Sequence, residues 1–443
     1  MSSSLALQRV QEAVRRTRGC VVSSAIEARV VPHMGVGVIA KEPIAKDALI
    51  FQAGADAWFP FSAECALEQA QRKAPGFLGQ LNQLFANNPA LSASPFVPNA
   101  LLLGVHLLVN FPRSQLPEVV FSNVTDVKME DLYINSLPTY VDLPFHWDDR
   151  QFQELEGCQD TARVIQQSTK FYSTIYQHLF GNASDFVDRE AFFWAMSILL
   201  SRATSGKDQP FTLIPFFDWF NHSDNGDECE HGFDPQKGFT VHTTRAYRSG
   251  EQIFINYGHH TNLRLLRNYG FTLPTNPYDV FDVPLPEKLQ KLHPSDAMSR
   301  EKLELLQTLF RGGGNSNPSV ITKKTLQLTN DGQLSFESDQ WLQILLASPE
   351  ELQSIFQQAA VTALDRFSLL QVPPSLQSKI QNSVREICQE RLQAHKTPLE
   401  NDEVFLRAND QRMAPWLRSC LHIRMSEKRA LTNAIKLHSS AHK

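Results

Sequence analysis

The chain has 443 residues, 42% of them hydrophobic and 20% charged, and its 42 lysines and arginines against 47 acidic residues give a net charge of −5. At roughly 100–200 residues per domain, this length predicts two or three domains, and the mild acidity argues against nucleic-acid binding through bulk positive charge. The 29 phenylalanines and 6 tryptophans exclude a wholly disordered chain, because only a packed interior buries so many aromatic rings.

The N-terminal residues are rich in serine and arginine, which raises the alternative of a transit peptide. We favour an amphipathic helix with Leu5, Val10 and Val14 on one side. The longest apolar run, residues 99–111, is shorter than the roughly 20 residues that a membrane helix needs. The 6 cysteines are scattered and form no CxxC pair, which favours a reducing compartment. We expect no membrane partner and a cytoplasmic or nuclear location, with organelle import left open.

Strands and helices are predicted in separate blocks along the chain. Residues 25–51 read as strands broken by a turn at Pro32 to Gly35, and residues 60–190 have a helical texture. An apolar helix is predicted at 192–203, and short strand-like pieces follow it. Beyond Pro274 the pattern is helical again, with a polar loop at 312–318 and a last helix near 416–437.

The first segment that suggests chemistry is an apolar stretch that ends in polar residues, namely Asp218, Asn221 and His222. Polar groups at the edge of a core cost about 1–3 kcal/mol each if they stay unpaired, so each needs a partner or a ligand. A helix cap would explain them equally well. Taken alone, this segment leaves both interpretations open.

The second segment holds two Tyr-Gly dipeptides, Tyr257-Gly258 and Tyr269-Gly270, joined by what reads as a short helix. Each tyrosine alone would be interpreted as a core aromatic residue with a satisfied hydroxyl. Their repetition so close together is unusual, and it marks this segment as a second candidate for a functional site.

Together the two segments resemble the SET-domain protein lysine methyltransferases of the Rubisco large-subunit methyltransferase type. The stretches that carry the resemblance are residues 35–40, 133–138, 143–147, 201–203, 218–223, 257–271 and 420–428. The resemblance implies an α+β fold, in which a SET-domain β-fold with a helical insertion is followed by an all-α C-terminal domain. The implied boundaries are 20–60 and 191–275 for the two parts of the SET domain, 61–190 for the insertion and 285–443 for the substrate-binding-like domain.

The resemblance also implies S-adenosyl-L-methionine as the cofactor and a lysine-containing protein as the substrate. Tyr257 would be the catalytic tyrosine. The implied cofactor-binding residues are Met34, Gly35, Val36, Arg202, Asn221, His222, Tyr257, Tyr269 and Phe271. The implied substrate-binding residues are Ser201, Thr204, Asp218 and Tyr269. We expect no metal, no nucleic acid and a monomer.

This set of residues suits methyl transfer. An in-line displacement needs alignment more than acid–base groups, and the target lysine must first lose a proton from an ammonium of pKa near 10.4. An apolar channel and a neighbouring sulfonium both disfavour the ammonium. Aromatic walls can also hold a methylated ammonium by cation–π attraction.

Two positions depart from the pattern of the family. Thr204 stands where those enzymes commonly have an aromatic residue that packs on the target side chain, and Leu200 replaces the first arginine of an Arg-Ser-Arg run. Thr204 therefore leaves open methylation of histidine instead of lysine, and it leaves the number of methyl groups open. A catalytically inactive SET-fold interaction module is the remaining alternative within this fold.

Other classes of site fit the sequence less well. Gly35, Gly37 and Ala40 match a dinucleotide fingerprint formally, but that motif must open a helix after a strand, and the pattern here predicts strand–turn–strand. The segment Asp224 to Asp227 lacks the glycine and glutamate positions of a calcium loop. Five possible metal ligands fit no common zinc template and are predicted to lie in solvated loops: Cys229, His231, His242, His259 and His260.

Overall fold

The computed structural model describes residues 4–92, 96–111, 127–181, 187–206, 208–290, 300–302, 324–361 and 372–439. The strands are β1 Val21–Val22, β2 Ile26–Val31, β3 Gly35–Ala40, β4 Leu49–Ala53, β5 Thr204–Gly206, β6 Gln209–Thr212, β7 Asn221–His222, β8 Glu230–Asp234, β9 Gly238–His242, β10 Gln252–Ile255, β11 Val280–Pro284 and β12 Thr325–Thr329.

The helices of the first half are α1 Ser4–Arg16, α2 Ala55–Trp58, α3 Ala63–Lys73, α4 Pro75–Asn87, α5 Pro89–Ser92, α6 Phe96–Asn110, α7 Met129–Ser136, α8 Asp149–Gln153, α9 Gln159–Phe180 and α10 Arg189–Arg202. Those of the second half are α11 Asn262–Tyr269, α12 Phe336–Leu346, α13 Pro349–Val361, α14 Pro374–Gln393, α15 Leu399–Asn409 and α16 Pro415–Leu437. The predicted α+β class is confirmed.

The chain divides into two compact units. The first comprises Met1–His146, Gln166–His260 and Arg267–Gly270, and the second comprises Trp147–Ile165, Thr261–Leu266 and Phe271–Lys443. This division differs from the continuous boundaries predicted from the sequence, because residues 147–165 of the predicted insertion join the C-terminal unit. The physical reason is a small core in which Trp147, Leu155 and Leu266 cluster with Cys420 and Ile423.

The β part of the first unit consists of two four-stranded sheets, with strand orders β1-β4-β9-β8 and β2-β3-β10-β7, and of the antiparallel pair β5–β6. β10 is the strand that matters for the site, because it pairs antiparallel with β3 and parallel with the two-residue strand β7. The strand β3 also pairs antiparallel with β2. The glycines of the formal dinucleotide fingerprint therefore belong to an antiparallel ribbon, as the strand–turn–strand prediction required.

The amphipathic helix predicted at the N-terminus is present as α1, but its buried face is different from the one expected. Val10 and Val14 are fully buried with Leu7, whereas Leu5 is 50% exposed. At 100° per residue, position 5 lies well away from the stripe formed by positions 7, 10 and 14. The prediction was therefore correct for the helix and wrong for Leu5.

The apolar helix predicted at 192–203 is α10, and it carries Arg202 at its last position. Asp188 caps its N-terminus by accepting from the backbone N–H of Glu190 and Ala191. Phe192 and Leu199 are fully buried, so packing fixes the helix along its length. The last turn of a helix presents unpaired carbonyl groups, which favour a cation such as the Arg202 side chain.

The second unit is mainly helical, and it adds one feature to the predicted all-α domain. Strands β11 and β12 form an antiparallel pair, in a region where the sequence predicted only helix. Val283 and Leu328 alternate inward from this pair into a core shared with Trp341 and Leu431. The predicted last helix near 416–437 is α16, and the predicted loop at 312–318 lies outside the described residues.

Several buried charges of the second unit are held by opposite charges. Asp402 accepts from Lys428 Nζ at 2.6 Å and from Arg424 Nη2 at 2.7 Å, and Arg391 Nε donates to Glu427 Oε1 at 2.8 Å. Removing one partner from such a pair leaves an uncompensated buried charge, which costs about 3–5 kcal/mol. These pairs therefore fix how α16 packs on α14 and α15.

His422 on α16 makes the stability of the protein depend on pH. Burial and the charge of Arg418 lower its pKa to about 4, and its Nδ1 lies 2.9 Å from the Thr272 hydroxyl. Because this pKa lies below the usual 6.5, the unfolded chain takes up the proton first as the pH falls. The stability that His422 contributes is therefore complete above about pH 6.5 and is lost between about pH 6.5 and pH 4.

When the pH falls from 7 to 5, we predict that the free energy of unfolding falls by about 2 kcal/mol less in His422→Gln than in the wild type. Urea unfolding at both pH values measures this difference. The control is His178→Gln, which removes an exposed histidine of α9 and should leave the pH dependence unchanged. Equal losses in wild type and His422→Gln would contradict the prediction.

Candidate active site

The parallel pairing of β7 and β10 brings the two candidate segments of the sequence together. In this register Asn221 lies beside Phe254 and His222 beside Ile255. Just beyond β10, the backbone N–H of Tyr257 donates to His222 Nδ1 at 3.1 Å. The Asn-His pair and the first Tyr-Gly pair are therefore held side by side by backbone geometry.

The side-chain hydroxyl of Tyr257 is also fixed by a hydrogen bond. It donates to the backbone carbonyl of Phe220 at 2.6 Å. The Tyr257 ring lies 5.1 Å from the His222 ring and 5.0 Å from the Tyr269 ring, centroid to centroid. Burial raises the pKa of Tyr257 well above its usual value, and the charge of Arg202 opposes this only in part. The hydroxyl is therefore neutral at physiological pH.

A buried ion pair lies next to this tyrosine. Arg202 Nη1 donates to the carbonyl of Asp218 at 3.0 Å and to its carboxylate Oδ2 at 3.1 Å. The Arg202 side chain is 19% exposed and that of Asp218 is completely buried. Tyr133 of α7 donates its hydroxyl to the same Oδ2 at 2.9 Å. Burial raises the pKa of Asp218, while Arg202 and Tyr133 lower it by a smaller amount.

Three polar atoms at this place are buried and bind no partner among the described residues. They are Arg202 Nε, Asp218 Oδ1 and Asn221 Nδ2. An unsatisfied buried polar atom costs about 1–3 kcal/mol, so three on the residues that surround Tyr257 are explained best by a ligand. A guanidinium edge suits a carboxylate, and the carboxylate oxygen and the amide N–H suit a ligand's donors and acceptors. This set fits a ligand that carries an amino-acid group, such as S-adenosylmethionine.

The turn between β2 and β3 supplies backbone with open space in front of it. Gly35 has φ of +74°, and a side chain built there would meet nothing within 4 Å. Met34 before it is 46% exposed, and Val36 after it is half-buried. At Gly37 an added Cβ would lie 2.9 Å from Asn221 Nδ2, so β3 runs directly beside Asn221.

The remaining predicted residues are placed less directly. The Ser201 hydroxyl donates to the Ser197 carbonyl of its own helix at 2.7 Å, and Thr204 begins β5 with its hydroxyl 3.5 Å from the Thr212 carbonyl. Tyr269, as described, stacks near Tyr257. Phe271 belongs to the second unit, so its place beside the cofactor stays a prediction. The functional roles of all these residues likewise stay predictions.

Two residues near the site were not among the predicted site residues. Tyr133 opens the stretch 133–138 that carries the resemblance, but no role was assigned to it, and its contact with Asp218 now places it at the site. His260 stacks on Tyr269 with ring centroids 6.2 Å apart, and its ring would meet a Cβ added to Gly258. From the sequence, His260 was considered only as a possible metal ligand.

The residues considered as metal ligands are placed differently from the expectation. His231 and His242 lie on strands β8 and β9, and Cys229 is only 3% exposed, with its Sγ 3.5 Å from the Tyr247 hydroxyl. The solvated-loop prediction was therefore wrong for Cys229, which is buried, and in part for His231, which is exposed but lies on a strand. His242 lies in one of the pieces that the sequence predicted to be strand-like, and Phe239 and Val241 of the same strand point into the core.

One cluster of possible metal-binding residues was not predicted from the sequence. Cys158, His395 and Glu427 in the second unit are buried, and their potential ligand atoms lie within 4.8 Å of one another. Arg391 already donates to Glu427 at 2.8 Å, and a guanidinium so close repels a metal cation. The chemistry of the cluster therefore favours a buried ion-pair network over a metal site.

Comparison with known proteins identifies the fold family. The family model of the SET domain matches residues 35–258. The chain belongs to the SET-domain family. A second model, the Rubisco LSMT substrate-binding domain, matches residues 293–431. This SET-domain chain therefore has the two-domain organisation that the sequence motifs implied.

Solved structures show the same fold. Rubisco LSMT bound to AdoMet aligns with a TM-score of 0.69 at 20% identity, and the alignment covers 99% of this SET-domain chain and 92% of that one. The LSMT SET domain bound to lysine and AdoHcy aligns with a TM-score of 0.70, 20% identity and the same coverage.

The similar curated proteins have a different substrate in their name. Actin-histidine N-methyltransferase of Canis lupus familiaris is 25% identical over 324 residues, which are 69% of this chain and 52% of that protein. The Homo sapiens protein of the same name is 24% identical with the same coverage. The SET-domain chain thus spans about half the length of these relatives. Among its described residues no helix is long and apolar enough to cross a membrane.

We predict that Gly37→Ala lowers the free energy of unfolding by about 1–3 kcal/mol, because the new methyl group would lie within 2.9 Å of Gln252 Nε2, Val31 Cγ2 and Asn221 Nδ2. Chemical denaturation measures this change. The matched control is Gly79→Ala in α4, where a Cβ meets nothing within 4 Å and alanine favours the helix. A Gly37→Ala protein as stable as the Gly79→Ala protein would contradict the close approach at Asn221.

Proposed function

We propose that the protein is an S-adenosyl-L-methionine-dependent protein N-methyltransferase that acts on a lysine side chain. The observation that carries this proposal is the neutral, partly buried hydroxyl of Tyr257 beside an arginine and an asparagine whose buried polar atoms bind no partner among the described residues. The likeness to LSMT structures with AdoMet, or with lysine and AdoHcy, supports it.

The residues of the site would have two roles: one group would bind the cofactor, and the two tyrosines would prepare the target nitrogen. Arg202 would bind the carboxylate of the cofactor, Asn221 would bind a polar edge of it, and the backbone around Gly35 would lie against it. When bound, S-adenosylmethionine supplies an electrophilic methyl group on a sulfonium. This chain would hold that methyl in line with the target nitrogen, since alignment accounts for most of the acceleration in such a displacement.

The tyrosines would prepare the nucleophile. Their rings lie 5.0 Å apart, and an apolar aromatic wall disfavours a charged ammonium, so it lowers the pKa of a lysine placed against it. The Tyr257 hydroxyl, fixed on the Phe220 carbonyl, keeps its oxygen lone pairs available. That oxygen would orient the methyl group without taking a proton, because no acid–base step at Tyr257 is needed.

Histidine is the second candidate target. It is favoured by the actin-histidine N-methyltransferases among the relatives. It is also favoured by Thr204, which stands where an aromatic residue would be expected to pack on a target lysine. A neutral imidazole needs no proton removed before it attacks. Thr204 lies at the start of β5 with a hydroxyl that could pair with a ring nitrogen, whereas an aliphatic lysine stem needs no such partner.

A protein substrate, a monomeric state and a cytoplasmic or nuclear location belong to the same proposal. The substrate-binding-like match over residues 293–431 supports a protein substrate. A SET-fold module without catalysis is the competing interpretation, and failure of the wild-type protein to bind S-adenosylhomocysteine in calorimetry would favour it.

We predict that Tyr257→Phe reduces methyl transfer by about 100-fold or more, because the lost hydroxyl acts at the reacting methyl group. Binding of S-adenosylhomocysteine should stay within about threefold of the wild-type value. Transfer of radiolabelled methyl groups to lysate proteins and calorimetry measure the two quantities. The control is Tyr172→Phe, a buried tyrosine outside the site. Near-wild-type turnover of Tyr257→Phe would refute its catalytic role.

We predict that the methyl group transferred by the wild-type protein is found on lysine. Mass-spectrometric site mapping of lysate proteins after incubation with a labelled cofactor reports the residue type and the number of methyl groups together. The comparison sample contains Tyr257→Phe, which should leave the same sites unlabelled. Labelled sites that are all histidine would replace the lysine proposal by the second candidate.

A further inference from the structure

We propose that Tyr133 is a positioning residue, which orients Arg202 toward the carboxylate of the cofactor by holding Asp218. The inference rests on the proposed function, and it concerns a residue that opens the stretch 133–138 of the resemblance but was assigned no role in the site. It follows from the geometry of three side chains that are linked in one chain of hydrogen bonds.

The position of the Tyr133 hydroxyl is fixed by packing. The residue is 0% exposed, and its ring packs edge-on against Phe61 with centroids 4.9 Å apart. Its neighbours Leu132 and Ile134 on α7 are also buried, so the helix cannot turn. The hydroxyl is therefore a rigid donor, and its acceptor, 2.9 Å away, is Asp218 Oδ2.

Asp218 is the shared acceptor of this chain. Its Oδ2 accepts from Tyr133 and from Arg202 Nη1, and its backbone carbonyl accepts from the same Nη1. A carboxylate with no exposed surface depends on such donors to remain charged. Without Tyr133, Oδ2 keeps Arg202 as its only donor among the described residues, and the carboxylate loses one of the two groups that fix its rotation.

The orientation of Arg202 follows from Asp218. Nη1 makes both contacts with Asp218, whereas the buried Nε binds no partner among the described residues. In the planar guanidinium, Nε and Nη2 form the fork edge to which Nη1 does not belong, and such an edge binds a carboxylate through two parallel hydrogen bonds. Fixing Nη1 on Asp218 therefore points the remaining edge at the ligand.

The test compares two ligands that differ in the group Arg202 would bind. S-adenosylhomocysteine carries the amino-acid carboxylate, and 5′-methylthioadenosine shares the adenosine but lacks that whole portion. By calorimetry, Tyr133→Phe should raise the Kd of S-adenosylhomocysteine about tenfold, as expected for the loss of a hydrogen bond to a charged group. The Kd of 5′-methylthioadenosine should change by less than about twofold.

A merely structural role gives a different result. If Tyr133→Phe weakens both ligands equally, or weakens neither, the inference is overturned. The control is Tyr176→Phe, which removes another buried hydroxyl that donates within the same unit, to the Val187 carbonyl at 3.0 Å. It should cost similar stability and leave both Kd values unchanged.

A second variant tests the same chain of contacts at its middle member. Asp218→Asn keeps the volume and removes the charge, so it should weaken S-adenosylhomocysteine selectively, as Tyr133→Phe does. Combining both changes should add less than the sum of the two effects, because they break the same chain of contacts. Additive losses would contradict the chain. If the wild-type protein binds neither ligand, the proposed function itself fails. That result differs from one in which the wild type binds both ligands and the variants weaken both equally, which overturns only the inference.

Discussion

The site depends on the cost of burying a positive charge. Arg202 is the last residue of a helix whose other turns pack in a hydrophobic core, so its guanidinium cannot move freely into water. A guanidinium there requires an anion, and Asp218 is the anion. Because that carboxylate is itself buried, it requires further donors, and Tyr133 supplies one. The pair is thus stable only as part of a network, and the network leaves one edge of the arginine unused.

Backbone pairing contributes the second half of the site. A strand of only two residues, β7, is held against β10 in parallel register, and this places His222 under the backbone of Tyr257. Parallel pairing needs a long connection between its strands, and here the connection carries the β8–β9 ribbon. The Asn221–His222 pair and Tyr257 therefore come from segments that meet because of the sheet, and neither segment would build the site alone.

The sequence was sufficient for the elements whose pattern is local. The apolar composition of α10, which is buried at consecutive positions, the apolar period of α16, the β-branched strands β2 and β3, and the fold class were all predictable, because each reflects a local pattern of burial. The site residues came from a resemblance, and the structure brings Arg202, Asp218, Asn221, His222 and Tyr257 together. The pairing of β11 with β12 was missed because a strand pair inside a helical region depends on a partner far along the chain. The role of Tyr133 was missed for the same reason, since the stretch 133–138 carries the resemblance but does not reveal a contact with Asp218, 85 residues away.

The division of the chain into units has a consequence for how it can be cut. The segment Thr261–Leu266 lies between Tyr257 and Tyr269, yet it belongs to the second unit, where Leu266 is buried in a core with Cys420, Ile423 and Trp416. The short stretch of chain between the two site tyrosines is thus anchored by residues from the far end of the sequence. The units interleave along the chain, so removing the C-terminal helices would remove the residues that bury Leu266, which lies between the two site tyrosines in the sequence. Any cut that separates the two units must therefore break the chain between Tyr257 and Tyr269.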